Sequence, residues 1–201
     1  MSDRIRHLAE QIKQLEAEMA KEVQRLRIPL YEIRDNSIRF LNEVRQRHLQ
    51  QRLGLFSYLR RSKLKHLLTA PVIWLCLLPI MLLDFVVTLY QLICFPVYGI
   101  PKVHRRDHVV IDRHHLAYLN IIEKLNCLYC SYFNGVISYV REIAAYSEQY
   151  WCPIKHAGHL KSKHSRYAKF VEYGDSEAFQ SRREALRTEY EDASIDDIGR
   201  R

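Results

Sequence analysis

The chain has 201 residues, enough for one modest domain with appendages, and carries a formal net charge of +8. Only six Gly and six Pro interrupt long stretches of Leu, Glu, Arg and Lys at helical spacing, so the composition excludes a strand-rich fold and predicts an all-α one. The positive charge favours an anionic partner, and since no RNA- or DNA-binding motif accompanies it, a membrane surface is expected and nucleic acid is not.

Residues 1–28 predict a short helix with a coiled-coil-like seam. Apolar side chains recur at spacings of three and four residues, and the row consists of Ile5, Leu8, Ile12, Leu15, Met19 and, one heptad later, Leu26. Such a seam offers a surface to a protein partner or to a second copy of the chain. An amphipathic helix that packs on this chain's own domain is the equal alternative. Pro29 ends the helix.

Residues 31–66 predict a basic amphipathic helix, for which Asp35, Asn36 and Ser37 offer N-caps. The stretch from Arg47 to His66 holds six Arg and Lys and no Asp or Glu. Because this charge directly precedes an apolar segment, the helix is expected to lie along a membrane surface and to contact anionic head groups. An ordinary packed helix is the alternative.

Residues 69–98 predict one apolar membrane segment. As a helix, the 26 residues from Ala70 to Phe95 reach roughly 39 Å, more than the ~30 Å hydrocarbon core of a bilayer. Pro79 interrupts the segment and both flanks are basic, which leaves two topologies, a re-entrant hairpin and a kinked single span. The preference of Lys and Arg for the cytoplasmic side places the soluble parts on that face.

Asp84 is the one acidic or basic residue between Ala70 and Phe95. An isolated ionised carboxylate in hydrocarbon is costly. Asp84 is therefore expected to be protonated or to pair with a polar group of a neighbouring helix.

Residues 99–173 predict a small helical Cys/His domain. Cys127 and Cys130 form a C-x-x-C, and Cys152 and His156 follow in a C-P-x-x-H. Three thiolates and one imidazole suit tetrahedral Zn²⁺, so these four residues predict a structural Cys₃His zinc site. In this interpretation Cys152 caps a new helix that brings His156 to the same side.

The zinc site has a geometric requirement. A straight helix over residues 131–150 would hold Cys130 and Cys152 roughly 30 Å apart. The chain must therefore turn back, for which Asn134 and Gly135 are the candidate break, or two subunits must share the ion. A redox dithiol and inert thiols are the alternatives for these cysteines.

The function predicted from these patterns is a membrane-anchored binding or assembly component with a structural metal site. The rival class is a membrane-bound enzyme that uses the C-x-x-C as a redox dithiol or the metal as a catalyst. No Ser-His-Asp order, P-loop or dinucleotide-binding glycine motif supports an enzyme. Residues 174–201 predict a polar mobile tail with at most one weak helix, near Glu177 to Glu191.

Overall fold

The computed structural model describes residues 42–190 without interruption. Before them it describes His7, Gln11 and residues 14–19, 21–22, 31–34 and 37–40. In these residues the chain is predominantly helical, which confirms the fold class that composition and spacing predict. The chain divides into two compact units, residues 1–54 with 115–120, and residues 55–114 with 121–201.

The first unit contains an antiparallel hairpin of β1 (Tyr31–Arg34) and β2 (Ser37–Phe40), followed by α1 (Asn42–Gln50). The single helix predicted over residues 31–66 is therefore wrong. Strands occupy its start, and the helical residues that follow are interrupted at residues 51–54 and 62–63. The strands pair with Arg34 opposite Ser37, so two residues connect them, an Asp and an Asn in the sequence. In a sequence these residue types favour tight turns as much as helix caps, so they do not by themselves distinguish a strand pair from a helix start.

The N-terminal seam lies partly outside the described residues, which exclude Ile5, Leu8, Ile12 and Leu26. The described positions between residues 7 and 22 are helical. Leu15 and Met19 are 64% and 66% exposed there. The use of this helix as a partner surface stays a prediction.

The second unit is built from helices of very different lengths. They are α2 (Leu55–Arg61), α3 (Leu64–Leu75), α4 (Leu77–Tyr98), α5 (Arg105–His108), α6 (Ile121–Trp151) and α7 (Ser176–Thr188). Short 3₁₀ turns lie at Arg113–His115, whose last residue belongs to the first unit, and at Tyr167–Lys169.

The apolar segment is interrupted at one residue, Cys76, which lies between α3 and α4. Pro79 explains the position of this break. It has no amide hydrogen to donate to the carbonyl of Leu75, and its ring crowds that carbonyl. At the break, the Cys76 amide donates a hydrogen bond to the Ile73 carbonyl at 3.2 Å.

Helices α4 and α6 pack side by side and run parallel. The contacts between the two helices advance in the same chain direction. They are Asp84 with Tyr132, Gln91 with Tyr139, Phe95 with Tyr146 and Tyr98 with Tyr150. Phe95, Ile100, Val103, Tyr139 and Ile143 form the buried core of this unit. The chain must therefore travel back along the pair before α6 begins, and residues 99–114, which do so, are called the return segment.

Two glycines allow that return. Gly99 ends α4 in the left-handed conformation, with φ 68°, while the amide of the buried Ile100 donates to the Phe95 carbonyl at 2.9 Å. Gly135 lies in the middle of α6, where the returning chain crosses the helix. A Cβ at this position would lie 2.8 Å from both the His108 carbonyl oxygen and the Val109 Cα.

The segment after α6 differs from the sequence-based expectation. Cys152 and Pro153 do not begin a helix. Residues 152–175, called the extended segment, contain no α-helix, and Ile154 forms a parallel bridge with Val171. The weak helix expected near Glu177 to Glu191 is α7, which Asp175 caps and the buried Leu186 anchors. The first half of the predicted mobile tail is therefore packed within the second unit. Residues 191–201 lie outside the described residues.

Arg166 and Gln149 fasten this C-terminal part to α6. The guanidinium of the buried Arg166 lies 3.7 Å from the centroid of the Tyr146 ring and donates to Gln149 Oε1 at 2.9 Å. Gln149 Nε2 in turn donates to the carbonyls of Leu186 and Glu189, at 2.8 and 2.7 Å. One amide therefore connects α6, the extended segment and the end of α7.

Gly135→Ala should destabilise the second unit, because the added methyl group overlaps backbone atoms of residues 108 and 109 that have no freedom to rotate away. The expected loss in the free energy of unfolding is about 1–3 kcal/mol, measured by denaturant titration in mild detergent. Gly158→Ala is the matched control, because a Cβ there meets nothing within 4 Å. Equal stability of the two variants would contradict the close crossing.

Candidate membrane interface

The outer face of α4 is apolar and open along its whole length. Its exposed large apolar side chains are Leu78, Met81, Leu82, Phe85, Val86, Leu89, Leu92, Ile93 and Val97. With α3 the segment Leu64–Tyr98 has 35 residues, and only 11% of its most apolar window is buried. Within the described part of the chain, this is the one helix long and apolar enough to cross a membrane, by length and composition.

The inner face of α4 carries the polar groups. The buried stripe Ile80, Asp84, Gln91 and Phe95 follows helical spacing and packs against α6. Asp84 is 8% exposed and Gln91 is 6% exposed, whereas their neighbours Phe85 and Leu92 are 66% and 57% exposed. The usual arrangement of a water-soluble helix, with polar groups outside and apolar groups inside, is reversed here.

Asp84 forms an ion pair with Arg105 of the return segment. Arg105 Nη2 donates to Asp84 Oδ2 at 2.8 Å, Arg105 Nε donates to Oδ1 at 3.1 Å, and the Tyr132 hydroxyl donates to Oδ2 at 3.0 Å. The hydrogen bond with Asp84 raises the pKa of Arg105 above its usual value, so the guanidinium stays charged. The expectation that Asp84 pairs with a polar group of a neighbouring helix is confirmed.

Gln91 satisfies the backbone of the return segment. Its Oε1 accepts from the Val103 amide at 2.7 Å, and its Nε2 donates to the Val103 carbonyl at 3.2 Å and to the Tyr139 hydroxyl at 3.0 Å. The hydroxyl of Tyr90, the residue before Gln91, lies 2.8 Å from that of Ser147 on α6. These contacts tie α4, the return segment and α6 into one body.

Basic side chains precede the apolar segment. Arg60, Arg61, Lys63 and Lys65 are exposed around the end of α2 and the start of α3. Phe56 of α2 is 89% exposed. Basic and apolar groups therefore lie together on the second unit just before the open apolar helices.

The cysteines of the predicted zinc site do not come together. Cys127 and Cys130 lie one turn apart on α6, which runs unbroken through Asn134 and Gly135. Cys152 follows the end of that helix, so it lies roughly 33 Å from Cys130 at 1.5 Å per residue. One ion cannot bind both within a subunit.

His156 is also outside any such site. Its backbone amide donates to the Tyr167 hydroxyl at 2.8 Å, and its ring stacks on the ring of Tyr167. The thiols of Cys127, Cys130 and Cys152 are free, and no group of three or more His, Cys, Asp or Glu that could hold a metal occurs among the residues that the structure describes. Zn²⁺ stays a prediction that needs a second subunit.

Sequence reasoning identified Asp84 but missed Gln91 and its partners. The signal was present, because Asp84, Thr88 and Gln91 are spaced by four and three residues and so share one face of an otherwise apolar helix. Their partners Val103 and Tyr139 are 12 and 48 residues away from Gln91, which no local pattern indicates.

No family model, curated protein or solved structure matches this chain at a significant level.

Gln91→Leu should lower the free energy of unfolding by about 1–3 kcal/mol, because the buried amide and carbonyl of Val103 lose their partner. The measurement is thermal or denaturant unfolding in mild detergent. Leu92→Gln, one residue along and 57% exposed, should leave that stability unchanged. If Leu92→Gln destabilised the fold as much as Gln91→Leu, the assignment of inner and outer faces would be wrong.

Proposed function

We propose that the protein is a membrane-anchored binding or assembly component, held on the lipid by the open apolar surfaces of α3 and α4. The reversed polarity of α4 is the observation that carries this proposal. Its polar groups form hydrogen bonds with α6 and the return segment, and its large apolar side chains are exposed on the outer face. Such a surface in water would expose nine large apolar side chains of α4 alone.

The energetics favour a lipid environment for this surface. Transfer of a Leu, Ile, Val, Phe or Met side chain out of water yields about 1.5–3 kcal/mol when the side chain becomes fully buried. Even half of that gain for each exposed side chain of α4 gives a total on the order of 10 kcal/mol. An exposed apolar patch of this length is typical of a membrane or protein interaction site.

The charges indicate which lipids are preferred. The basic side chains at the start of α3 lie next to the apolar surface, where anionic head groups would neutralise them. The same charges favour the cytoplasmic face by the positive-inside preference. Zinc is not part of the proposal, since the described residues bring no four ligands together within one subunit.

A folded body is attached to the apolar helix. The second unit presents α6, the extended segment and α7 as a body attached directly to the apolar helix. In the first part of the chain, the exposed Leu15 and Met19 offer a surface for a protein partner. We therefore place binding, and not catalysis, at the centre of the function.

The full-length protein should stay with membranes through high salt and alkaline carbonate, because the contact is apolar. Phe85→Lys should lower its partition into phosphatidylcholine–phosphatidylglycerol vesicles at least about 10-fold, because a Phe side chain buried in lipid contributes about 1.5–3 kcal/mol of apolar transfer. Gln180→Lys, on the exposed surface of α7, adds the same charge and should have little effect. Release of the unmodified protein by carbonate alone would contradict the proposal.

A further inference from the structure

We infer that α4 lies along the surface of one bilayer leaflet, with its outer face in lipid, and that it does not cross the membrane. This inference rests on the proposed membrane function and specifies its geometry. The in-plane orientation follows from the elements that pack on α4. The length and composition of α4 alone do not indicate it.

Helix α6 accompanies α4 over most of its length. Tyr132 lies at the level of Asp84, Tyr139 at the level of Gln91, and the Tyr146 ring at the level of Phe95. The two helices are parallel and share a core. If α4 crossed the bilayer, α6 and the return segment would have to enter the hydrocarbon with it.

The return segment carries charges at that depth. In a crossing by α4, whose 22 residues span ~33 Å, Asp84 would lie about 10 Å along the helix from Leu77, well inside the core. Arg105 is bonded to Asp84, so its neighbours Arg106 and Asp107 would lie at nearly the same level. Their side chains are 85% and 41% exposed, with charged atoms 3.8 Å apart. Near the bilayer centre this open pair would lose its water, where a single charge costs about 2.5–3.5 kcal/mol.

Helix α6 adds further charges. Between Tyr139 and Tyr146 it carries Arg141 and Glu142. Arg141 donates to Ser162, and Glu142 accepts from Ser165, so the segment after α6 would be drawn into the core as well. A crossing would therefore bury polar surface of the whole second unit, whereas contact through the outer face of α4 buries none of these groups.

Helix α3 is too short to cross the membrane. Its 12 residues reach only ~18 Å, against the ~30 Å of the hydrocarbon core. None of its residues is buried in the protein, and Trp74 contacts Tyr129 of α6, so lipid can cover the sides of α3 that face away from α6. The exposed Lys63 and Lys65 at its start would meet anionic head groups, which makes a leaflet of mixed neutral and anionic lipid the occupant that fits this surface.

In-plane anchoring replaces both topologies that the sequence leaves open. The soluble parts before and after the segment lie on one face of the membrane without a hairpin turn. Asp84 needs no neutralisation in hydrocarbon, since it faces Arg105 and Tyr132 inside the protein.

The depth of the outer face along α4 tests this inference. Leu78, Phe85 and Leu92 are each seven residues apart and share that face, so in a crossing helix their depths would differ by about 10 Å per step. The chain has two Trp, Trp74 and Trp151. With both changed to Phe, a single Trp at each of the three positions reports its own depth.

The full-length variants are reconstituted in phosphatidylcholine–phosphatidylglycerol vesicles whose acyl chains carry bromine either near the head group or near the bilayer centre. The quenching ratio of the two lipids should be the same at the three positions. A ratio that changes from Leu78→Trp to Leu92→Trp, or that is deepest at Phe85→Trp, overturns the in-plane arrangement. No quenching at any position instead overturns the membrane function itself.

A second measurement uses the protein without substitutions, so that it does not depend on whether the Trp variants fold. In sealed vesicles, protease added from outside should cut both the segment before α1 and the segment after α7, or neither. Cleavage on only one side of the apolar segment would show that the chain crosses the bilayer and would overturn the inference.

Discussion

The hydrogen bonds of Gln91 hold the inner face of α4 to the rest of the second unit. They join Val103, on the return segment, and Tyr139, on α6, at a position that is almost completely buried. Because a buried amide and carbonyl without partners are costly, the return segment can follow this path only while α4 keeps that face turned inward. Asp84, seven residues earlier on the same face, adds the ion pair with Arg105.

The exposure of the apolar side chains follows from that constraint. With Asp84 and Gln91 fixed inward, Phe85 and Leu92 must point outward, and so must the other large apolar side chains of that face. The charged groups of the return segment and of α6 are carried at the same levels of the helix pair. A membrane can therefore take up the outer face at little cost, while a crossing would have to desolvate charges on the attached elements.

Much of the fold could be predicted from the sequence, because it depends on local chemistry. The helical class, the apolar segment and the need of Asp84 for a partner all follow from composition and spacing. The strands β1 and β2 could not be found by helical periodicity, since four residues are too few to separate the two periods. The chain break that a zinc site within one subunit requires at Gly135 does not occur. That residue suggested a break in α6, but its missing side chain serves the close crossing of residues 108 and 109 while the helix continues. Whether such a glycine breaks a helix or allows a close crossing depends on long-range packing, such as that between Gln91 and Tyr139.

Direct labelling from the lipid would test the central claim about α4 most sharply. A phospholipid with a photoreactive diazirine in its acyl chain is incorporated in vesicles with the full-length protein, and adducts are located by mass spectrometry. Adducts are expected on the outer face of α4, at positions such as Leu82, Phe85 and Leu89, and on the exposed sides of α3. Val136, Tyr139 and Ile143 of α6, which are buried in the protein, should carry none. Labelling of those buried positions, or of the return segment around Arg106, would contradict the account.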